Sequence, residues 1–209
     1  WDIFLITAFL KNINQEGYMY RIDSRILGMV GTNCYLLCNE DIKECVFIDP
    51  ADCADEISKM IDESGCELKG ILLTHGHFDH IMAADDVREK YGVNVYASCD
   101  EKNTLEQPHI NLGESYGMNL SVKADVWHND GDVLKLAGFD IEALHTPGHT
   151  EGGTCYYGLF LLHYKYVVYA LFAFLGISYI FKVTSHVLLA IHIVRLHIKI
   201  FGSFLGHPD

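Results

Sequence analysis

At 209 residues, half of them apolar, the chain can build one hydrophobic core, and a second full domain would be cramped. A formal net charge of −13 argues against nucleic acid, whose phosphates need a basic face, and leaves a small molecule as the expected partner. Seven cysteines (Cys34, Cys38, Cys45, Cys53, Cys66, Cys99, Cys155), an odd count without a Cys-x-x-Cys pair, read as reduced thiols of a cytoplasmic protein.

Residues 1–18 do not fit the pattern that follows. The apolar stretch Ile3 to Leu10 has no basic region before it and is too short to span a bilayer. These residues are expected to be a non-native leader, with Met19 the native start. From there the order becomes regular. Strands are expected at Tyr20 to Ser24, Asn33 to Leu37 and Val46 to Pro50, with Gly28 and Gly31 marking a turn between the first two. Ala54 to Ser64 places Ile57, Met60 and Ile61 at helical spacing and stops at Gly65. Leu68 to Thr74 reads as a buried strand, Ile81 to Tyr91 as a helix whose Asp85 and Asp86 face solvent, and Val93 to Ala97 as another strand. Glu101 to Leu112 reads as a helix and loop. Strand-like runs then fill Val122 to Leu144 around the turn signal Asn129-Asp130-Gly131-Asp132. His109 and His128 have no partner motif and are expected on the surface; Tyr18, Tyr20 and Tyr35 are assigned to packing or surface.

The most informative segment is Thr74-His75-Gly76-His77-Phe78-Asp79-His80, directly after the apolar run Gly70 to Leu73. Three imidazoles and a carboxylate this close rarely serve packing. His75 and His77 are two apart and project to one side of an extended backbone, while Asp79 and His80 follow on the next turn. Imidazole with carboxylate suits zinc, iron or manganese better than calcium or magnesium.

This pattern, His-x-His-x-Asp-His, resembles the signature of the metallo-β-lactamase superfamily of hydrolases. Asn33 to Leu37, the Asp49-Pro50 turn and the element His145-Thr146-Pro147-Gly148-His149-Thr150 resemble other parts of that family, so that the likeness covers roughly residues 19 to 157. The resemblance implies an α/β (α+β) fold, the four-layer αββα sandwich. It implies that His75, His77 and His149 hold a first metal, that Asp79 and His80 hold part of a second, and that Asp79 orients the attacking water. Thr74 is expected to support a ligand imidazole by a hydrogen bond, and His145 to hold the turn. The implied cofactor is zinc, two ions in the intact family, with iron or manganese suited to the same donors. Within the superfamily the His-Thr-Pro-Gly-His-Thr element looks most like the glyoxalase-II-like hydrolases, which act on thioesters such as hydroxyacylglutathione.

The likeness stops near Gly158. Residues 1–151 hold 27 of the 28 acids and 11 of the 15 bases, whereas residues 152–209 hold one acid and four bases. The family's next strand would end in a Gly-Asp that bridges the metals, and a later turn would give a last histidine. Neither motif follows, and His163, His186, His192, His197 and His207 lack the expected flanks. Residues 159–209 thus read as an atypical apolar tail, either a frameshift product or a membrane segment over 159–181, with membrane attachment expected only in the second case. The expected domain is 19–158, with its second half incomplete. The expected function is a metal-dependent hydrolase of small esters or thioesters, impaired in this chain; the alternative is a non-catalytic or membrane-tethered metal-binding remnant.

Overall fold

The structure, a computed structural model, describes residues 12–13 and 19–158. Most of the expected leader, and the whole expected tail with its candidate membrane span and its five histidines, lie outside the described residues. No helix among the described residues is long and apolar enough to cross a membrane.

Seven strands form one sheet in chain order: β1 (Asn12–Ile13), β2 (Met19–Leu27), β3 (Thr32–Asn39), β4 (Glu44–Ile48), β5 (Glu67–Leu72), β6 (Asn94–Ser98) and β7 (Val126–His128). The first four pair antiparallel. From β4 onward the pairing is parallel, and the intervening segments cross over through α1 (Ala54–Ser64), then α2 (Phe78–Ile81) and α3 (Ala84–Tyr91), then α4 (Lys102–Glu106). Parallel strands covered on both faces must be apolar throughout, which is why Ile71, Leu72 and Leu73 form an unbroken buried run that ends at the histidines. A second, antiparallel sheet has the order β10 (Thr154–Gly158), β9 (Phe139–His145), β8 (Val133–Leu136).

The two faces of the large sheet bury different partners. On one, Phe47, Leu36 and Ile71 pack with Ile57, Met60 and Ile61 of α1 and with Ala84 and Val87 of α3. On the other, Leu37, Val46 and Leu72 meet Leu136, Phe139 and Ile141 of the small sheet. Each fully buried Leu, Ile or Phe side chain contributes about 1.5–3 kcal/mol relative to exposure. The described layers are therefore helix, sheet, sheet, three of the four layers of the expected sandwich.

Helix ends follow the sequence signals. Gly65 and Gly92, both in the left-handed region at φ 69° and 65°, close α1 and α3 by donating to the carbonyls of Asp62 and Arg88. The helix expected over 81–91 is instead two pieces, because the Ala83 N–H donates to the Pro50 carbonyl (3.0 Å) rather than continuing α2. Cys34, Cys38, Cys45 and Cys66 are buried, and none of the seven cysteines is in a disulfide. Burial pushes the Cys34 thiol up to about 12, as suits an inert core thiol.

Candidate metal centre

Strand β5 ends at Leu72, and the chain runs through Thr74 to His77 before α2 begins. This short loop lies at the carboxyl end of the parallel strands, where open α/β sheets bind their ligands. The loop after β9 brings His149 to the same place. Gly148, at φ 148°, follows Pro147 and makes the sharp turn needed to do so. One ring nitrogen from each of His75, His77 and His149 lies within 4.8 Å of the others; His75 and His77 are buried and His149 is exposed. His77 Nδ1 and His149 Nε2 approach to 2.8 Å. The sequence thus brought together three residues from two loops 72 positions apart.

Hydrogen bonds decide which nitrogen of His75 is bare. The Thr74 hydroxyl donates its only proton to Asp49 Oδ2 (2.6 Å), so its oxygen accepts from His75 Nδ1–H (3.1 Å). Nε2 of His75 is then a lone pair, buried and without a hydrogen-bond partner. A buried acceptor left bare costs stability unless something satisfies it. Burial holds His75 well below the ordinary imidazole range, and the neighbouring imidazoles push the same way. Burial, then His149, lowers His77 to about 4. Three imidazoles whose ring nitrogens converge, with burial holding each toward its neutral form, are a donor set that suits a zinc-like cation, so the residues present fit a metal.

Asp79 and His80 stand beside this group. The His75 and His80 rings lie 4.1 Å apart, and His80 Nε2 is 3.6 Å from Asp79 Oδ2. His80 Nδ1 is tied to Asp49 Oδ2 at 2.9 Å, which leaves Nε2 as the nitrogen facing Asp79. Burial opposes a charge on His80, but Asp49 and Asp79 outweigh it and raise its pKa. Asp79 also accepts from the Thr32 hydroxyl (2.7 Å).

Other histidines fall elsewhere. The His145 ring lies against His128, 5.9 Å between centroids, with Nδ1 3.7 Å from Asp100 Oδ2, and the His145 N–H donates to Asp130. His109 is exposed, as expected. His128 is not: it is 1% exposed at the end of β7, and its Nε2 bonds the Tyr156 hydroxyl (2.9 Å), so the surface reading was wrong. Two further carboxylates and a hydroxyl escaped the sequence reading. Asp49, Glu101 and Thr32 each hold the site from 25 or more positions away; only the Asp-Pro turn hinted at the first.

The sequence model of the metallo-beta-lactamase superfamily matches residues 27–159. The chain belongs to that superfamily. The probable metallo-hydrolase YqgX of Bacillus subtilis is 40% identical over 133 residues, 63% of this chain and 62% of that protein. The hydroxyacylglutathione hydrolase GloC of Haemophilus influenzae is 37% identical over 123 residues, 57% of this chain and 58% of that protein. The chain therefore spans about three fifths of these relatives' length. Among solved structures, the BLEG-1 B3 metallo-beta-lactamase superposes with a TM-score of 0.62 at 35% identity, covering 66% of this chain and 67% of that one. TTHA1623, solved in a di-iron-bound form, gives 0.55 at 28% identity, covering 65% and 66%. As a superfamily member this chain shares its αβ architecture with them, and zinc or iron is the metal named among its relatives.

Proposed function

We propose that the centre built by His75, His77 and His149 binds zinc and that the chain is a metal-dependent hydrolase of small esters and thioesters, hydroxyacylglutathione the model substrate. One observation carries the reading: a ring nitrogen from each of three imidazoles converges at a loop open to solvent on the His149 side, with the buried Nε2 of His75 left without a partner and with a carboxylate and a fourth imidazole adjacent. Three protein nitrogens and an open position are the donor set of a catalytic zinc rather than a structural one. When bound, such a cation supplies water that ionises near neutral pH and polarises a substrate carbonyl.

The side chains supply the rest. Asp79, fixed by Thr32, is placed to orient an attacking water and to take its proton. Asp49 holds His80 and Thr74, and Thr74 holds the tautomer of His75. The exposure of His149 gives a substrate its approach. Similarity to GloC supports a thioester, and similarity to BLEG-1 makes a β-lactam the competing substrate.

Around the second position the described residues offer Asp79 and His80, so we propose one tightly held ion per chain and a second held weakly, with turnover reduced accordingly. Reduced thiols and the small-molecule substrate are consistent with a cytoplasmic enzyme. The test is elemental analysis of the purified chain together with thiol release from a hydroxyacylglutathione and opening of a β-lactam. Close to one zinc per chain with thiol release is the expected result. Protein that takes up no zinc, or that opens the β-lactam and spares the thioester, would refute the assignment; metal without any hydrolysis would leave the remnant reading standing in its place.

A further inference from the structure

Glu101 sits at the end of the turn after β6 with no exposed surface. Its Oε2 accepts from the Gly76 N–H at 2.7 Å, between the two buried ligand histidines. Its Oε1 accepts from the Gly152 N–H at 2.8 Å, three residues after His149. One carboxylate thus holds both metal-binding loops, one oxygen to each. Both partners are tight as well as polar. A Cβ on Gly76 would stand 2.9 Å from the Leu105 nitrogen, and one on Gly152 would stand 2.7 Å from the Glu101 nitrogen and 2.8 Å from Ser98 Oγ, distances that real side chains do not adopt. Both loops must therefore be glycine where they touch this corner.

We infer that Glu101 is a positioning residue that sets the distance between the His75–His77 pair and His149, and so sets how tightly the centre holds its cation. This rests on the metal-binding reading above. The chemistry explains why an acid stands here. Both donors are N–H groups, so only a residue with two acceptor oxygens can serve both; an amide would accept from one loop and turn its NH2 against the other. Burying a carboxylate among neutral donors is costly, and a cation held by the three histidines supplies the missing counter-charge. On the strand side the loops are already joined by the Thr154 N–H to the Thr74 carbonyl (2.8 Å), so Glu101 provides the second fixed point that stops them pivoting about the first.

The test uses cobalt(II) as the probe ion, read by its visible absorption, in the wild type and in Glu101→Gln, His149→Ala and the double variant. The expected result is a loss of cobalt affinity of about 10-fold or more in Glu101→Gln, with a changed band intensity, and almost no further loss when His149 is already absent. Equal losses in both backgrounds, or affinity within about twofold of wild type, would overturn the inference. Amide exchange on metal-free protein reads the same contact independently: Gly76 and Gly152 should both lose protection in Glu101→Ala, which removes both acceptor oxygens, while Ile71 keeps its own. Acceleration at one glycine alone, or at neither, would also overturn it. If the wild type takes up no cobalt, the metal reading fails and the exchange result still decides the role of Glu101. Should Glu101→Gln fail to fold, Gly152→Ala, which pushes one loop away and keeps the carboxylate, must weaken cobalt binding in its place, and unchanged binding there counts against the inference.

Discussion

Asp49 serves three donors at once: the Thr74 N–H at 2.7 Å, the Thr74 hydroxyl at 2.6 Å and His80 Nδ1 at 2.9 Å. An asparagine there keeps the shape but has a single acceptor oxygen, so at least one of these partners would face an NH2. Asp49→Asn should therefore lower zinc affinity by about 10–100-fold, with the fold retained; competition against a chromophoric chelator measures it, and unchanged affinity would show that the three bonds do not orient the ligands. The ligand residues themselves were legible in the sequence because His75, His77, Asp79 and His80 are close neighbours on one loop. Their supports were not. Asp49, Glu101 and Thr32 reach the loop only through the order of the strands, and a single sequence does not show that order. His128 was misread for the same reason, since its partner Tyr156 lies 28 positions away on the other sheet.

At the scale of elements, apolar spacing located the strands and α1 within a few residues, and the glycines located the helix ends. Turns were less legible. Asn129 to Asp132 does form a turn, with Gly131 at φ 81° and the Asp132 N–H donating to the Asn129 carbonyl, but it links β7 to β8. The tight hairpin between β8 and β9 is Ala137-Gly138, both residues at positive φ (50° and 72°), as a two-residue turn that matches strand twist requires. Alanine is a poor signal for that conformation. Asn39 holds it there, its Nδ2 donating to the Ala137 carbonyl at 3.0 Å. A Cβ on Gly138 would meet Ile42 Cδ1 at 2.7 Å and Asn39 Nδ2 at 2.8 Å. Gly138→Ala should cost about 1–3 kcal/mol through strain and crowding together, read as a lower urea midpoint with unchanged slope. An unaltered midpoint would mean that the hairpin relaxes freely and does not anchor the small sheet.

For the molecule as a whole, alternation told which residues of each strand are buried without telling which sheet would cover them. Besides packing, a buried polar chain helps to join the two sheets. His128 of β7 donates from Nε2 to the Tyr156 oxygen of β10, and the Tyr156 hydroxyl donates in turn to the Leu73 carbonyl beside the metal loop (2.9 Å). Protonating the imidazole keeps that donor but puts a second N–H on Nδ1, which is buried without a hydrogen-bond partner. Burial lowers His128 to about 4, and His145 adds to the effect, whereas in the unfolded chain it titrates near 6.5. Between these values the unfolded state binds the extra proton, so the contribution of His128 to stability is complete above about 6.5 and is lost as the pH falls toward 4. His128→Gln keeps an N–H donor without the titration. Its stability, measured by urea unfolding in the presence of chelator so that metal release does not intrude, should fall less between pH 7 and 5 than that of the wild type. Parallel pH slopes for the two proteins would mean that His128 is not the group through which acid separates the sheets.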